Sequence, residues 1–184
     1  AIAAEQTGLI GRAYIDLSGR APAGDEWLSE TASLLEAADF VTTVHRPETA
    51  YSFTDRLDGM AWYFGWYERR PYGPFERAVR LMPGALGWHI HSFSGTSLRT
   101  EREWAGWFVA NGAALTVGNA FEPFLGLTHR PDVFVRALQA GLTAGEAIWA
   151  ANPALGWMPY ALGDPLYQPL ARDLDALLAA AEAG

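Results

Sequence analysis

Residues 60–66 read MAWYFGW, a nearly continuous apolar run. A strand with one wet face alternates polar and apolar residues, whereas a run without alternation needs cover on both faces. That is the position of a central strand in a largely parallel sheet with helices on either side. At seven residues the run is far short of the ~20 needed to cross a bilayer, and no other stretch of the chain approaches that length.

The flanking sequence supplies the cover. RAYIDL (12–17) alternates Ala13, Ile15 and Leu17 against Tyr14 and Asp16, and FVTTVH (40–45), AALTVG (113–118) and WMPYALGDP (157–165) also read as strands. Pro159 places the last of these at an edge. Helical spacing of Trp27, Leu28, Leu34, Leu35 and Ala38 predicts a helix over 25–38, with Asp25 favouring its N-terminal end. EREWAGWFVANG gives a short helix ended by Asn111 and Gly112. Pro131 suits the first position of PDVFVRALQA, and Thr143 with Glu146 makes a capping box before AGEAIWAA. Leu170, Leu174, Leu177, Leu178 and Ala181 predict a terminal amphipathic helix. The expectation is one α/β domain over 1–184, a mostly parallel sheet flanked by helices in three layers. The opening AIAAEQTGLIGRAYIDL reads as the tail of a helix running into a strand, as in the later part of a longer chain, and it lacks a secretory signal pattern.

A net charge of -8 without any Lys/Arg block argues against nucleic acid as a partner. The lack of cysteine removes thiol nucleophiles, disulfides and thiolate metal sites. Direct membrane insertion is not expected either.

The element order, with YFGWY (63–67) ending one strand and HSFSG (91–95) ending the next, resembles the caspase-like fold. More closely, it resembles the catalytic subdomain of gingipain-type cysteine peptidases. In that family one strand ends in Gly-His-Gly with the catalytic histidine and the next in Ala-Cys-Asn-Thr-Gly with the nucleophile. Here Trp66 stands at the histidine and Ser92 at the cysteine, so both catalytic positions depart from the pattern. A second resemblance runs nearly end to end, through YFGWY, HIHSFS (89–94), GNAFEPFL (118–125) and GDPLYQPL (163–170). It is to the C-terminal half of an uncharacterised bacterial family associated with exosortase protein-sorting systems. That likeness implies an exported, envelope-linked setting and an N-terminal half of the same protein as a partner.

On a strand, His89 and His91 would share one face while Ile90 and Ser92 share the other, so a base for a nucleophilic Ser92 is expected from elsewhere, with His45 and His129 as candidates. The His-x-His spacing would let two imidazoles meet a metal, with Glu68, Glu122 or Asp164 beside them. The competing reading, one histidine packed among aromatic rings and the other partly wet, is adopted, and no metal or cofactor is expected. Asp164 and Pro165 read as a tight turn. Trp62, Tyr63, Trp66, Tyr67, Trp88, Trp104 and Trp107 gather near the carboxyl ends of the central strands, where open α/β sheets bind ligands. Trp66 and Tyr67, beside a Gly/Pro-rich loop over 67–85, are expected to be the most exposed. The expected function is a non-catalytic peptide- or glycan-binding module whose site draws on Trp66, Tyr67, Glu68, His91, Asn119 and Glu122. The alternative is a hydrolase using Ser92 with His91 or His89.

Overall fold

The structure, a computed structural model, describes residues 2–46, 51, 54–77 and 79–171. After α1 (Ile2–Thr7), the strands β1 (Arg12–Asp16), β2 (Val41–His45), β3 (Met60–Trp66), β4 (Leu81–Ile90), β5 (Leu115–Asn119) and β6 (Pro159–Gly163) form a sheet in the order β2-β1-β3-β4-β5-β6. The first five are parallel, and β6 runs antiparallel to β5. Helices α2 (Pro22–Ala37), α4 (Pro131–Gln139) and α5 (Ala144–Ala151) cover one face. Helix α3 (Trp104–Ala110) and the 67–80 connection cover the other. This is a three-layer α/β arrangement.

All seven residues of β3 are buried, as its missing alternation requires. Trp62, Phe64 and Trp66 pack with Ile15, Trp88, Ile90 and Phe134 under α2 and α4. Met60 and Tyr63 pack on the other side with Phe75, Trp104, Trp107 and Phe108. A fully buried Phe is worth about 1.5–3 kcal/mol, so these rings are a large share of what holds the layers together. The α3 layer comes this close only because β4 has no side chain at Gly87, where a Cβ would stand 2.1 Å from the Phe108 ring.

Local signals fall where they were expected at several ends. Pro131 opens α4, and Thr143 and Glu146 form the reciprocal capping box of α5. Pro159 begins the edge strand β6. Helix α2 starts at Pro22, three residues earlier than expected, and Asp25 lies in its first turn, where an acidic side chain suits the N-terminal end; its two carboxylate oxygens also accept from Ser18 N (2.8 Å) and Gly19 N (2.7 Å) and tie the preceding loop to the helix. The loop expected over 67–85 is shorter, because Leu81 onward joins β4. Pairing jumps from Met60↔Leu81 to Trp62↔Leu86, and Pro83, which lacks an amide hydrogen, lies within the irregularity. What remains of the loop is anchored by buried Phe75. Of the expected terminal helix, Leu174, Leu177, Leu178 and Ala181 lie outside the described residues. No described helix is long and apolar enough to cross a membrane.

Gly87→Ala is expected to lower stability by about 1–3 kcal/mol through overpacking against Phe108, read as a lower urea midpoint at unchanged m-value.

Candidate ligand-binding cleft

A cleft of about 320 Å³ opens at the carboxyl end of β3, β4 and β5, on the side of the sheet covered by α2 and α4. Ala21, Trp66, Ile90, Pro123 and Leu125 give it apolar walls, and Tyr67, His91, Ser92, Asn119, Glu122, Phe124 and Thr128 complete the lining. Its size is at the low end for small-ligand pockets. Of the residues singled out in the sequence, Trp66, Tyr67, His91, Ser92, Asn119 and Glu122 therefore come together, whereas Glu68 and His89 do not line the cleft.

Each lining residue has a distinct local cause. Tyr67 N donates to Ile90 O (2.9 Å), which extends the β3–β4 ladder by one bond and leaves Tyr67 at φ 87°, in the left-handed region. Its ring is 46% exposed and carries the Arg20 guanidinium 4.7 Å from its centroid. Trp66, expected to be exposed, is a buried wall of the cleft with 6% exposure. Arg20 also pairs with Glu68 at 3.4 Å, outside the cleft, and the Glu68 carbonyl accepts from Trp104 Nε1 at 2.7 Å.

The strand rule predicted that His91 would follow His89, but β4 ends at Ile90 and the chain turns. Ser94 N donates to His91 O, and Phe93 N donates to His91 Nδ1 at 3.1 Å. With Nδ1 accepting, the neutral ring carries its proton on Nε2. Burial pushes the His91 pKa down, Arg69 pushes the same way, and Glu122 and Glu68 oppose them. At neutral pH His91 is thus a neutral ring with a fixed donor. Ser92, half-buried beside it, has no imidazole hydrogen-bonded to its hydroxyl among the described residues.

Asn119 is a structural tie. Its amide donates to His91 O (2.9 Å) and Thr128 Oγ1 (3.1 Å), and its backbone N donates to Ser94 Oγ (3.2 Å), locking the ends of β4 and β5 together. Glu122 Oε1 accepts from Phe124 N at 2.8 Å, and Phe124 follows at φ 49° with 77% exposure. Phe124 and Thr128 were not singled out in the sequence. The only signal was their place just after the GNAFEP strand end.

His89 lies on the opposite face, stacked on Trp104 with ring centroids 3.9 Å apart and 1% exposed. Burial drives its pKa well down. Its Nδ1 meets Tyr63 OH at 3.2 Å, and Tyr63 OH donates to Asp16 Oδ2 at 3.3 Å. Asp16 also accepts from Tyr72 OH (2.7 Å), and its other oxygen pairs with His45 Nδ1 at 2.6 Å. Burial raises the Asp16 pKa, and the bonds from His45, Tyr72 and Tyr63 counter part of that. Asp16 and Tyr72 were missed in the sequence. A lone polar residue ending the otherwise apolar β1 was the available clue. His45 serves Asp16 and not Ser92.

Trp62, Tyr63, Trp88, Trp104 and Trp107 are core residues, none more than 3% exposed. Asp164 closes a turn by accepting from Leu166 N at 2.9 Å. Among the described residues no three His, Asp or Glu side chains converge to hold a metal, and the proposed meeting of His89 with His91 fails because the first points into the α3 layer.

His129 is buried edge-on to Trp88, and burial lowers its pKa to about 4. Because the unfolded ring titrates near 6.5, this histidine contributes stability that is full above about pH 6.5 and is lost as pH falls toward 4. A shift of that size corresponds to about 3 kcal/mol. His129→Phe is expected to flatten the loss of stability between those pH values in urea titrations; an unchanged slope would contradict this account.

Comparison with known protein families, with curated proteins and with solved structures found no match to this chain.

Proposed function

We propose that the chain is a non-catalytic binding module on a caspase-like frame, with the cleft between Trp66, His91 and Phe124 as its site for a peptide or glycan. The observation that carries this reading is the state of the polar groups. A cleft of small-ligand size holds a hydroxyl, an imidazole and a carboxylate, yet among the described residues Ser92 has no base bonded to it and His91 has its acceptor nitrogen committed to Phe93 N. General-base activation needs a free acceptor within ~2.6–3.2 Å of the proton to be moved. The resemblance to exported, exosortase-associated proteins supports an envelope setting, with the N-terminal half of the same protein as a further partner.

Retention of members of a defined peptide and oligosaccharide array on immobilised protein tests the reading. Phe124→Gly, which suits a left-handed backbone and removes only an exposed ring, is expected to lose the retained members; equal retention by both proteins would count against the cleft.

The second reading, a hydrolase, is favoured by Ser92 lining the cleft next to His91. It requires hydrolysis of p-nitrophenyl acetate or casein that disappears in Ser92→Ala. The binding reading expects equal background rates in wild type and variant.

A further inference from the structure

We infer that the cleft takes a neutral saccharide, gripped by the Tyr67 and Phe124 rings and hydrogen-bonded chiefly through side chains; this deepens the binding reading and rests on it.

Peptides are commonly held by backbone bonds to a strand or loop. Around this cleft much of the backbone is already engaged. Ile90 O accepts from Tyr67 N, and His91 O accepts from both Ser94 N and Asn119 Nδ2. Phe93 N is bound to His91 Nδ1, Phe93 O accepts from Thr96 Oγ1, and Phe124 N is bound to Glu122. Asn119 O accepts from Gly95 N, and Ala120 N is bound to Met158 O. The lining side-chain groups without a partner among the described residues include the hydroxyls of Ser92 and Tyr67, the Nε2–H of His91 and the second oxygen of Glu122. That set offers one donor, one acceptor and two groups that do both, which matches sugar hydroxyls, each able to donate and accept.

The charge pattern points the same way. No Lys or Arg lines the cleft, and Glu122 is its one acidic side chain, while burial pushes the His91 pKa down. An anionic ligand would meet a carboxylate and no cation among the lining side chains. Of the guanidiniums near the rim, Arg20 is engaged with Glu68 and the Tyr67 ring, and Arg69 lies close enough to His91 to push its pKa down.

The backbone supplies a third, independent observation. Among the described residues three non-glycine positions have positive φ, Asp39, Tyr67 and Phe124, and two of them line this cleft. Such a conformation costs of order 1–3 kcal/mol for a bulky residue. Neither ring recovers the cost by burial, since they are 46% and 77% exposed. Phe124 stands open at the mouth, where the flat face of its ring can stack on a sugar, and Tyr67 lines the same cleft with the Arg20 guanidinium over one of its faces. From His91 a run of rings continues outward through Phe93, Phe121 and Trp157, with centroid steps of 6.2, 5.9 and 6.4 Å. Phe121 and Trp157 are 53% and 38% exposed, so the track extends past a single sugar unit.

The test is titration of ¹⁵N-labelled protein with short neutral oligomers of glucose, mannose and N-acetylglucosamine, alongside uncharged peptides alternating aromatic and small residues. At least one saccharide is expected to shift the amides of Tyr67, His91, Ser92 and Phe124. Tyr67→Gly and Phe124→Gly are each expected to weaken its Kd about tenfold, the equivalent of one lost ring contact, with no fall in thermal midpoint because glycine accepts both backbones. Trp157→Ala should weaken the longer oligomers and spare the shortest. If a peptide shifts these amides and no saccharide does, the saccharide inference is overturned and the binding reading stands. If nothing shifts them, both fall. A saccharide that shifts only other residues, or binds the two glycine variants unchanged, also overturns the inference.

Discussion

The carboxylate of Asp16 is the constraint on which the carboxyl edge of the sheet depends. A charge at 3% exposure carries a desolvation cost of several kcal/mol unless it is fully bonded. Its partners come from separate elements: His45 ends β2, Tyr63 lies on β3, and Tyr72 arrives on the connection to β4. His89 of β4 joins through Tyr63. The pairing register sets His45, Asp16, Gly65 and His89 in one row across four parallel strands. Gly65 is the gap in that row. A Cβ there would stand 2.3 Å from Tyr63 OH and 2.7 Å from His89 Nδ1, so the absence of a side chain lets the Tyr63 hydroxyl reach between its neighbours. A slip of one residue in any of these strands would turn the polar groups to the opposite face and strand the charge.

The same alternation separates the two faces functionally. One position on from the row, Trp66 and Ile90 turn toward α2 and α4 and become cleft walls. The cleft therefore inherits its geometry from a network it does not touch. The connection that follows β3 is tied to the same face of the sheet, through the Tyr72 bond to Asp16 and the buried Phe75 ring, despite Gly73 and its two prolines.

Much of this was legible where local chemistry decides the outcome. The unbroken MAWYFGW run specified a doubly covered strand, and Pro131, Thr143 with Glu146, and Pro159 marked element ends by mechanisms that need no tertiary context. The convergence of Trp66, Tyr67, Ser92, Asn119 and Glu122 followed from placing each at a strand's carboxyl end. The period-two rule failed at His91 because it holds only while the chain is a strand, and the turn bonds to His91 O and Nδ1 begin one residue past Ile90. The Asp16 network was hidden because its members are scattered from residue 16 to residue 89 and meet only through the sheet register. Trp66 and Tyr67 looked alike in sequence, and only the positive φ at Tyr67 separates the buried ring from the exposed one.

That register also bears on the chemistry available to Ser92. The described residues do contain an imidazole oriented by a carboxylate, the arrangement a hydroxyl nucleophile needs. It is His45 with Asp16, and it belongs to the α3 side of the sheet, while Ser92 opens on the α2 side. The backbone of the central strands lies between them, so rotation of side chains cannot bring them together. His91 is on the correct side but has no carboxylate bonded to it among the described residues, and its acceptor lone pair is held by an amide of its own turn. For His91 to take a proton from Ser92, the Phe93 bond would have to break and the ring turn or change tautomer, leaving that half-buried amide unpaired at about 1–3 kcal/mol if no water replaced the bond. The carboxylate-oriented imidazole thus lies on one face and the Ser92 hydroxyl on the other, which separates the groups a serine nucleophile would need together.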